Sequence, residues 1–389
     1  MRDLTPEEQQ LLEYATDRQK EYLLGVAEYG SSRLAAPHLK TTYSSINRGL
    51  RVLRQKAAAI DPSLHAHKAP PGYALRGVST LLDDDGQVRM TWVKTKQDHQ
   101  AAMDALRDAV EEIVEPARGT IGPVPAPEFV SCEHLAVYPL GDAHVGMLAW
   151  AAEAGESWDL DIAERVICQT IDKVIALAPP AEQALLINLG DFYHVDNFSS
   201  KTPAHGNVLD ADGRFPKIVR AGLRIKRYII GRLLERHAHL RVWTLAGNHD
   251  ESTSVMLALM LQAIYEREPR LDVSTNPARM QVLEFGENLI SGMHGHTASE
   301  QQAAMYLAAA HREAWGRTSR RVIYRGHVHH DSKTKDHPGV EVETIRIIPP
   351  ADAWHAGKMY YAARDQKCDV YHKRDGRVLR IAQPPQVDE

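Results

Sequence analysis

The chain has few cysteines and no long apolar run. Its 389 residues include 3 cysteines, Cys132, Cys168 and Cys368, which lie far apart and form no CxxC pair. This pattern excludes a disulfide framework and a thiolate metal site, and it is typical of a reducing environment. No apolar stretch approaches the roughly 18 residues of a membrane span, and the N-terminus, MRDLTPEEQQ, lacks the basic and apolar regions of a secretion signal. We therefore expect a soluble cytoplasmic protein without a membrane partner.

An excess of basic residues is also missing. The chain carries 46 Lys and Arg against 51 Asp and Glu, a formal charge of -5. This excludes a uniformly basic nucleic-acid binder, so contacts with phosphate have to come from a local patch or from metal ions. Histidine, in contrast, is abundant: there are 20, and several follow apolar stretches beside Gly and Asp. Histidines in this setting are candidate metal ligands.

Local composition divides the chain into three regions. The hydrophobic fraction of 43% and charged fraction of 25% are typical of globular proteins, and the length suggests two or three domains. Residues 1–60 predict a small helical unit. Residues 61–130 predict a β-hairpin around DDDG, a helix over 97–116 and a Pro/Gly-rich linker, ARGTIGPVPAPEF. In residues 131–389 apolar strands alternate with helical patterns, which predicts a mixed α/β domain with its loops at one edge of the sheet.

The helical unit ends in a short helix, a tight turn and a longer helix. The three segments are SSRLAAPHL, KTT and YSSINRGLRVLRQKAAAI, the layout of a helix-turn-helix. Pro37 is expected to break the short helix near its end. Five basic residues with no acid between them predict a nucleic-acid-binding surface: Lys40, Arg48, Arg51, Arg54 and Lys56. The alternative is a helical bundle whose basic face is only solvated.

Five apolar stretches of the third region run directly into polar clusters. They are LAVYPL before GDAHVG, ALLINL before GDFYHVDN, LRVWTL before AGNHD, NLISGM before HGHT, and RRVIYR before GHVHHD. Loops at the carboxyl ends of strands gather in one place in α/β sheets, so we expect these clusters to meet. Their carboxylates, imidazoles and amide suit Mn²⁺, Fe, Zn²⁺ or Mg²⁺. The ligands are too many for one tetrahedral ion, which favours two ions about 3.5 to 4 Å apart.

The ordered series D-x-H, G-D, G-N-H-D, H and G-H-x-H resembles the calcineurin-like metallophosphoesterase superfamily over roughly residues 133–350. The resemblance implies a four-layer α/β/β/α sandwich that binds two divalent metal ions, with Mn²⁺ as first choice. GDFYHVDN and GHVHHD are similar to the corresponding segments of phage-encoded members that place a helix-turn-helix before this domain. The D-x-x-H spacing of Asp191 and His194 resembles the nuclease branch of the superfamily.

Carried over to this sequence, the resemblance implies a role for each motif residue. One ion would be bound by Asp142, His144 and His329, the bridge between the ions would be Asp191, and the second ion would be completed by Asn248, His294 and His327. His249 would protonate the leaving alkoxide or orient the phosphate, with Asp250 holding its ring. His194 would assist at the active site, although Asn197 also lies within reach of the more general G-D-x-x-D/N position. His294 is preferred to His296 because the ligand of the superfamily is usually the first polar residue after the strand.

Two further groups of residues are left open by the sequence. His296 and His330 would either support the metal ligands or lie on the surface. Trp354, His355, Tyr360 and Tyr361 would either form a rim on which nucleic-acid bases stack or pack in the core.

The chemistry of phosphodiester hydrolysis agrees with the implied site. A phosphodiester is anionic and resists attack, so a site must neutralise charge, activate water and stabilise the leaving oxygen. Metal ions serve the first two needs, and an imidazole with its ordinary pKa of about 6.5 serves the third. We therefore expect a two-metal phosphoesterase, foremost a DNA nuclease with DNA as its partner. The alternatives are a small-molecule phosphodiesterase or phosphomonoesterase with an unrelated N-terminal domain, and a non-catalytic DNA-binding regulator; homo-oligomerisation is left open.

Overall fold

The computed structural model describes residues 4–60, 73–82, 88–97, 117–203, 206–329 and 334–386. The chain divides into two compact units, Met1–Ala105 and Leu106–Glu389. The hairpin strands predicted from the sequence belong to the first unit, and residues 117–130 belong to the second.

The first unit begins with four helices that have their own core. They are α1 (Pro6–Leu11), α2 (Asp17–Tyr29), α3 (Ser32–His38) and α4 (Tyr43–Ile60). The side chains of Thr5, Thr16 and Ser31 accept hydrogen bonds from the first turns of α1, α2 and α3, as N-caps do. Gly30 ends α2 with φ of 83°, a conformation that glycine adopts without strain. Pro37 is the last residue but one of α3.

Helix α4 buries one face and exposes the other. Ile46, Leu50, Leu53 and Ala57 lie in the core of the helical unit, at the spacing of one helical face. All five basic residues singled out in the sequence are exposed: Lys40, Arg48, Arg51, Arg54 and Lys56. The short helix, turn and longer helix are therefore present, and nucleic-acid binding by their basic face stays a prediction.

An antiparallel hairpin completes the described part of the first unit. Its strands are β1 (Tyr73–Leu82) and β2 (Val88–Gln97). The DDDG segment between them and residues 98–116 of the predicted helix lie outside the described residues, and Gln97 is the last residue of β2.

The Pro/Gly-rich segment that we expected to be a linker packs on the second unit. The Gly119 amide donates to the Ala263 carbonyl at 2.8 Å, and the Val124 amide donates to Oε2 of Glu268 at 2.6 Å. Ile121 and Val124 also contact the apolar core. This segment, which belongs to the second unit, therefore finds partners there for its apolar side chains and backbone amides.

The second unit contains two sheets and seven described helices. The helices are α5 (Ala151–Ala154), α6 (Leu160–Leu177), α7 (Phe215–Arg236), α8 (Glu251–Ile264), α9 (Glu300–Ala310), α10 (Arg312–Arg317) and α11 (Ala353–Gly357). One sheet comprises β3 (Ser131–Leu140), β4 (Ala181–Asn188), β5 (His239–Thr244), β6 (Leu271–Val273), β12 (Gln366–His372) and β13 (Gly376–Gln383). The other comprises β7 (Met280–Phe285), β8 (Asn288–Met293), β9 (Arg320–Arg325), β10 (Thr334–His337) and β11 (Val340–Thr344).

The elements of the second unit form four layers. Ile171 of α6 and Ile229 of α7 belong to an apolar core shared with the outer face of the six-stranded sheet. Trp243 of β5 and Tyr324 of β9 belong to a second core, between the two sheets. Leu307 of α9 packs with β8 and β9 in a third. The mixed α/β architecture expected from the alternating pattern is therefore confirmed, with helices outside and two sheets inside. No described helix is both long and apolar enough to cross a membrane.

The strands that precede the polar clusters are parallel neighbours. The six-stranded sheet has the order β13-β12-β3-β4-β5-β6, and the five-stranded sheet has the order β10-β11-β9-β8-β7. Leu140 pairs with Asn188, and Asn188 pairs with Thr244, so β3, β4 and β5 end level with one another. In the other sheet Met293 pairs with Arg325, the last residues of β8 and β9. The loops that follow these five strands therefore start side by side.

Candidate metal centre

The residues directly after these strands have unusual backbone conformations. His144, Asp191 and His327 have φ of 41°, 48° and 71°, in the left-handed region that few residues other than glycine adopt. They are three of the six described non-glycine residues with positive φ. Strain of this kind persists only where the surroundings enforce it, and it concentrates at functional sites.

Two glycines let the backbone approach the carboxylates closely. A Cβ atom on Gly247 would lie 1.9 Å from Oδ1 of Asp191, and one on Gly326 would lie 2.2 Å from Oδ1 of Asp142. Any side chain at these positions would displace a carboxylate. This explains why a glycine stands before Asn248 and before His327.

A first group of ligand atoms consists of Asp142, His144 and His329. One atom from each lies within 4.8 Å of the others. Oδ2 of Asp142 is 2.8 Å from Nε2 of His329, which is 3.1 Å from Nε2 of His144. The chain thus brings together the three residues that the sequence suggested for one ion.

A second group consists of Asp191, His294 and His327, again with one atom of each within 4.8 Å of the others. Nε2 of His294 is 3.3 Å from Oδ2 of Asp191 and 3.0 Å from Oδ1 of Asn248. Nδ1 of His294 donates to the Leu189 carbonyl at 2.9 Å, which leaves Nε2 facing the group. These are the residues suggested for the second ion.

The charge of the two groups fits divalent cations. Asp142 and Asp191 are buried, and among the described residues the cationic partners of their carboxylates are the histidines His294 and His329. Burial alone would lower the pKa of His294, but Asp191 and Asp142 outweigh it and raise that pKa to about 9. Burial alone would raise the pKa of Asp191, but His294 lowers it below its usual range. Buried carboxylates that recruit an imidazolium require positive charge, and their carboxylate, imidazole and amide donors suit Mn²⁺, Fe, Zn²⁺ or Mg²⁺.

His249 lies beside both groups, but its ring is held differently from our expectation. Its backbone amide donates to Oδ1 of Asp191 at 2.8 Å, and its ring centroid is 4.9 Å from that of His144. Nδ1 of His249 donates to the His194 carbonyl at 3.0 Å. The expectation that Asp250 would hold this ring was wrong.

The Asp250 carboxylate instead binds the backbone of the neighbouring loops. It accepts hydrogen bonds from the amides of Asp191, Phe192, Tyr193 and Gly247 at 2.8 to 3.2 Å. Burial, together with the charge of Asp191, raises the pKa of Asp250 to about 7. Asp250 therefore fixes the loop that carries Asp191 relative to the loop that carries His249.

His194 also reaches the site. Its Nδ1 lies 3.2 Å from Nδ1 of His144, and His144, His194 and His249 form a third group that could hold an ion. Burial, together with His249, lowers the pKa of His194 to about 3, so the ring is neutral. The side chain of Asn197 accepts a hydrogen bond from the Ser199 amide at 2.8 Å and thus shapes its own loop.

The second histidine of HGHT lies apart from the ligand groups. Nε2 of His296 contacts Nη1 of Arg279 at 3.2 Å, and its ring centroid is 5.1 Å from that of His294. His294 therefore belongs to the second group, whereas His296 is its neighbour. His330 lies outside the described residues.

Sequence reasoning missed a hydrogen-bonded chain behind the first group. Nδ1 of His329 lies 3.1 Å from Nε2 of His355, and Nδ1 of His355 lies 2.7 Å from Oδ1 of Asp352. The Asp352 carboxylate only accepts, so Nδ1 of His355 donates to it and Nε2 of His355 accepts from His329. His329 then presents Nε2 to Asp142. In the sequence, only the three-residue spacing of Asp352 and His355, with Asp352 as the N-cap of α11, could have indicated this pair.

No protein-family model matches the chain, and no curated protein is similar enough in sequence to match. Similar solved structures include a conserved uncharacterized protein of Streptococcus pneumoniae TIGR4, a predicted phosphoesterase, with 11% identity and a TM-score of 0.26 over 65% of this chain and 100% of that one. Wild-type Vps29 of Entamoeba histolytica in complex with Zn²⁺ has 13% identity and a TM-score of 0.23, covering 64% and 98%. The phosphoesterase YfcE of E. coli has 13% identity and a TM-score of 0.29, covering 63% and 98%. Scores of this size carry no functional conclusion, which has to come from the side chains of the site.

Proposed function

We propose that this chain is a metal-dependent phosphoesterase that hydrolyses phosphodiester bonds. The observation that carries the proposal is the pair of adjacent ligand groups, Asp142 with His144 and His329, and Asp191 with His294 and His327. Asn248 adds an amide oxygen to the second group. Divalent ions held there would supply positive charge to the phosphate and activate a water for attack.

His249 is the residue proposed to handle the proton of the leaving group. Because a carbonyl oxygen only accepts, the bond to His194 requires Nδ1 of His249 to carry a hydrogen. When the ring carries a second proton, Nε2 is then the atom that donates it to an alkoxide or orients the phosphate. The backbone bond to Asp191 keeps His249 beside the second group without using its ring.

We propose DNA as the substrate, which goes beyond the metal centre itself. The support is the exposed basic face of α4 and the turn before it, with Arg48, Arg51 and Arg54 on the helix. Phosphate contacts of this kind would give sequence-independent binding that weakens with salt. A regulator that only binds DNA is the less economical hypothesis, since it leaves the buried ligand groups unexplained.

The test compares four substrates under the same conditions with Mn²⁺: single-stranded DNA, double-stranded DNA, bis-p-nitrophenyl phosphate and p-nitrophenyl phosphate. We expect cleavage of DNA and of the diester, with weaker turnover of the monoester. Turnover of the small esters without cleavage of DNA would contradict the DNA proposal and leave the phosphoesterase proposal standing. Absence of turnover on all four would contradict both.

DNA binding by the first unit is tested separately in the full chain. Replacing Arg48, Arg51 and Arg54 with Ala should weaken DNA binding and reduce the slope of log affinity against log salt by about one for each lost phosphate contact. The matched control is Lys20→Ala, which removes an exposed lysine from α2. An unchanged affinity and slope in the triple variant would contradict the proposed interface.

A further inference from the structure

A cavity of about 180 Å³ opens beside the first ligand group. His144 and His329 form part of its wall, so a molecule in the cavity lies next to a phosphate bound at that group. Pro349 and Pro350 supply apolar surface, and Tyr360 and Tyr361 supply rings. The cavity is thus placed to receive the group esterified to the phosphate.

Three aromatic side chains line this cavity, His355, Tyr360 and Tyr361, and the Trp354 ring lies beside two of them; we call these four residues the aromatic rim. Tyr361 is 94% exposed, Trp354 60% and Tyr360 39%, which answers the question left open by the sequence, since these three rings are not core. The Trp354 ring centroid lies 4.9 Å from that of His355 and 6.0 Å from that of Tyr360. Large rings exposed together beside a polar site are typical of binding surfaces.

One ring of the aromatic rim, that of His355, is held against the first ligand group. His355 is bonded to Asp352 on one side and to His329 on the other, and its ring is stacked on that of His329 with a centroid separation of 4.9 Å. A planar group that stacks against His355 would therefore lie at a defined distance from the first ligand group. Such pre-organisation reduces the entropy lost on binding.

The charge of the cavity favours a neutral occupant. Arg364 is the sole lysine or arginine among the described residues that line it, and its two terminal nitrogens bind Glu156 at 3.0 and 2.7 Å. Arg364 also donates to the Ile348 carbonyl at 3.2 Å. Because this guanidinium is already paired, the cavity offers little attraction to a second anion such as a peptide carboxylate or another phosphate.

We propose that the cavity and the aromatic rim form a nucleobase subsite, in which a base stacks on the rim while its own phosphate lies at the metal centre. Each base has a flat face that stacks on aromatic side chains regardless of sequence. The inference rests on the proposed phosphodiesterase function and narrows its substrates to nucleoside phosphodiesters. The occupant is a base rather than a second copy of the chain.

The experiment uses two p-nitrophenyl phosphodiesters that share a leaving group and differ in the other ester group, which is 5′-thymidyl in one and methyl in the other. With the Mn²⁺-loaded protein, kcat/KM for the thymidyl ester should exceed that for the methyl ester about five-fold or more. In Tyr361→Ala, which removes a 94% exposed ring and leaves the core intact, this ratio should fall toward one. Tyr306→Ala removes an exposed tyrosine from α9, outside the cavity, and should leave the ratio unchanged.

Failure of the nucleobase subsite can be distinguished from failure of the phosphodiesterase activity. Equal turnover of both esters by the unaltered protein would overturn the subsite and leave the phosphodiesterase proposal intact. A thymidyl preference that survives Tyr361→Ala combined with Trp354→Ala would also overturn it. If Tyr361→Ala converts a dimer to a monomer in sedimentation without changing the ratio, the rim is a self-association surface and the subsite is overturned.

If neither ester is hydrolysed, the activity fails and the subsite is decided by binding. Oligothymidylate should then quench the tryptophan fluorescence of the metal-free protein, and the quenching should be lost in Trp354→Phe. Absence of quenching, or quenching that persists in Trp354→Phe, would overturn the subsite.

Discussion

Nε2 of His144 and Nε2 of His329 lie 3.1 Å apart, although 185 positions separate the two residues in the chain. Each follows a strand of a different sheet, and the parallel strands of the two sheets bring their following loops to the same place. Asp142 completes this group. The candidate metal centre therefore depends on strand register, and substitutions of its different residues should change metal binding and turnover separately.

Loss of Asp191 should remove metal binding and activity together. Its carboxylate contacts His294 in the second group, and we propose that it would be shared by both ions. In Asp191→Ala we expect fewer than two bound Mn²⁺ per chain by elemental mass spectrometry, together with loss of diester hydrolysis. The matched control is Asp172→Ala, a surface carboxylate on α6 that pairs with Arg232. Two ions retained in Asp191→Ala would contradict the bridging role.

Loss of the His249 ring should remove turnover without removing metal. The ring bonds to the His194 carbonyl and belongs to neither group proposed to bind metal, so His249→Ala should keep both ions. We expect kcat for cleavage of DNA, whose leaving group is an alkoxide, to fall by about 10²- to 10⁴-fold, the usual contribution of a general acid. Hydrolysis of bis-p-nitrophenyl phosphate should fall less, because p-nitrophenolate has a low pKa and leaves without a proton. Metal loss in His249→Ala would refute the assignment.

The hydrogen bonds that link His329 to His355 and Asp352 should increase the affinity for metal. Asp352 and His355 fix the orientation of the His329 ring, so Asp352→Asn and His355→Ala should each weaken binding of an ion by about 10- to 100-fold. Calorimetric titration with Mn²⁺ measures this directly. His239→Ala, which removes an exposed histidine at the start of β5, serves as control. Unchanged affinity in both variants would show that the chain of bonds does not position the ligand.

Lys226 should make stability depend on pH. It is fully buried on α7, its Nζ lies 4.1 Å from the centroid of the Phe192 ring, and burial lowers its pKa to about 7. Between about pH 7 and 10.5, Lys226 is protonated in the unfolded chain and neutral in the folded chain. Buried Lys226 therefore lowers the free energy of unfolding most below pH 7, and this destabilisation decreases as the pH rises toward 10.5. Lys226→Met should therefore raise the free energy of unfolding near pH 7 by on the order of 3 to 5 kcal/mol.

Urea denaturation of the metal-free protein at pH 6, 7, 8 and 9 tests this prediction. The difference between Lys226→Met and the unaltered chain should shrink steadily above about pH 7, which separates Lys226 from all groups that both proteins share. Lys217→Met changes an exposed lysine on the same helix and should show no such trend. A difference independent of pH would mean that Lys226 does not titrate in this range.

The ligand groups could be predicted from the sequence because apolar strands followed by short polar clusters are a local pattern. NLISGM and RRVIYR form β8 and β9 with the expected ends, and their parallel pairing brings the clusters that follow them together. Asp352 and His355 were not predicted as a pair behind the site, because α11 brings them to His329 across 26 positions without a strand-end pattern. Their partner is set by packing, which the local sequence does not encode.

The partner of the Asp250 carboxylate could not be predicted from the sequence, for a different reason. Adjacency to His249 suggested that the carboxylate would hold the neighbouring ring. In the fold, the backbone amides of residues 191–193 converge on the carboxylate, while the ring finds the His194 carbonyl. Neighbours in the chain project in different directions, and only the surrounding loops decide which partner each one meets.

The most direct test of the central claim is a metal titration of activity. Chelated protein, freed of metal, is supplied with increasing Mn²⁺ while hydrolysis of bis-p-nitrophenyl phosphate is measured. The account predicts no turnover before addition, and turnover that rises to a plateau near two equivalents of tightly bound ion. Turnover by the metal-free protein, or no turnover with any of Mn²⁺, Fe²⁺, Zn²⁺ and Mg²⁺, would contradict it.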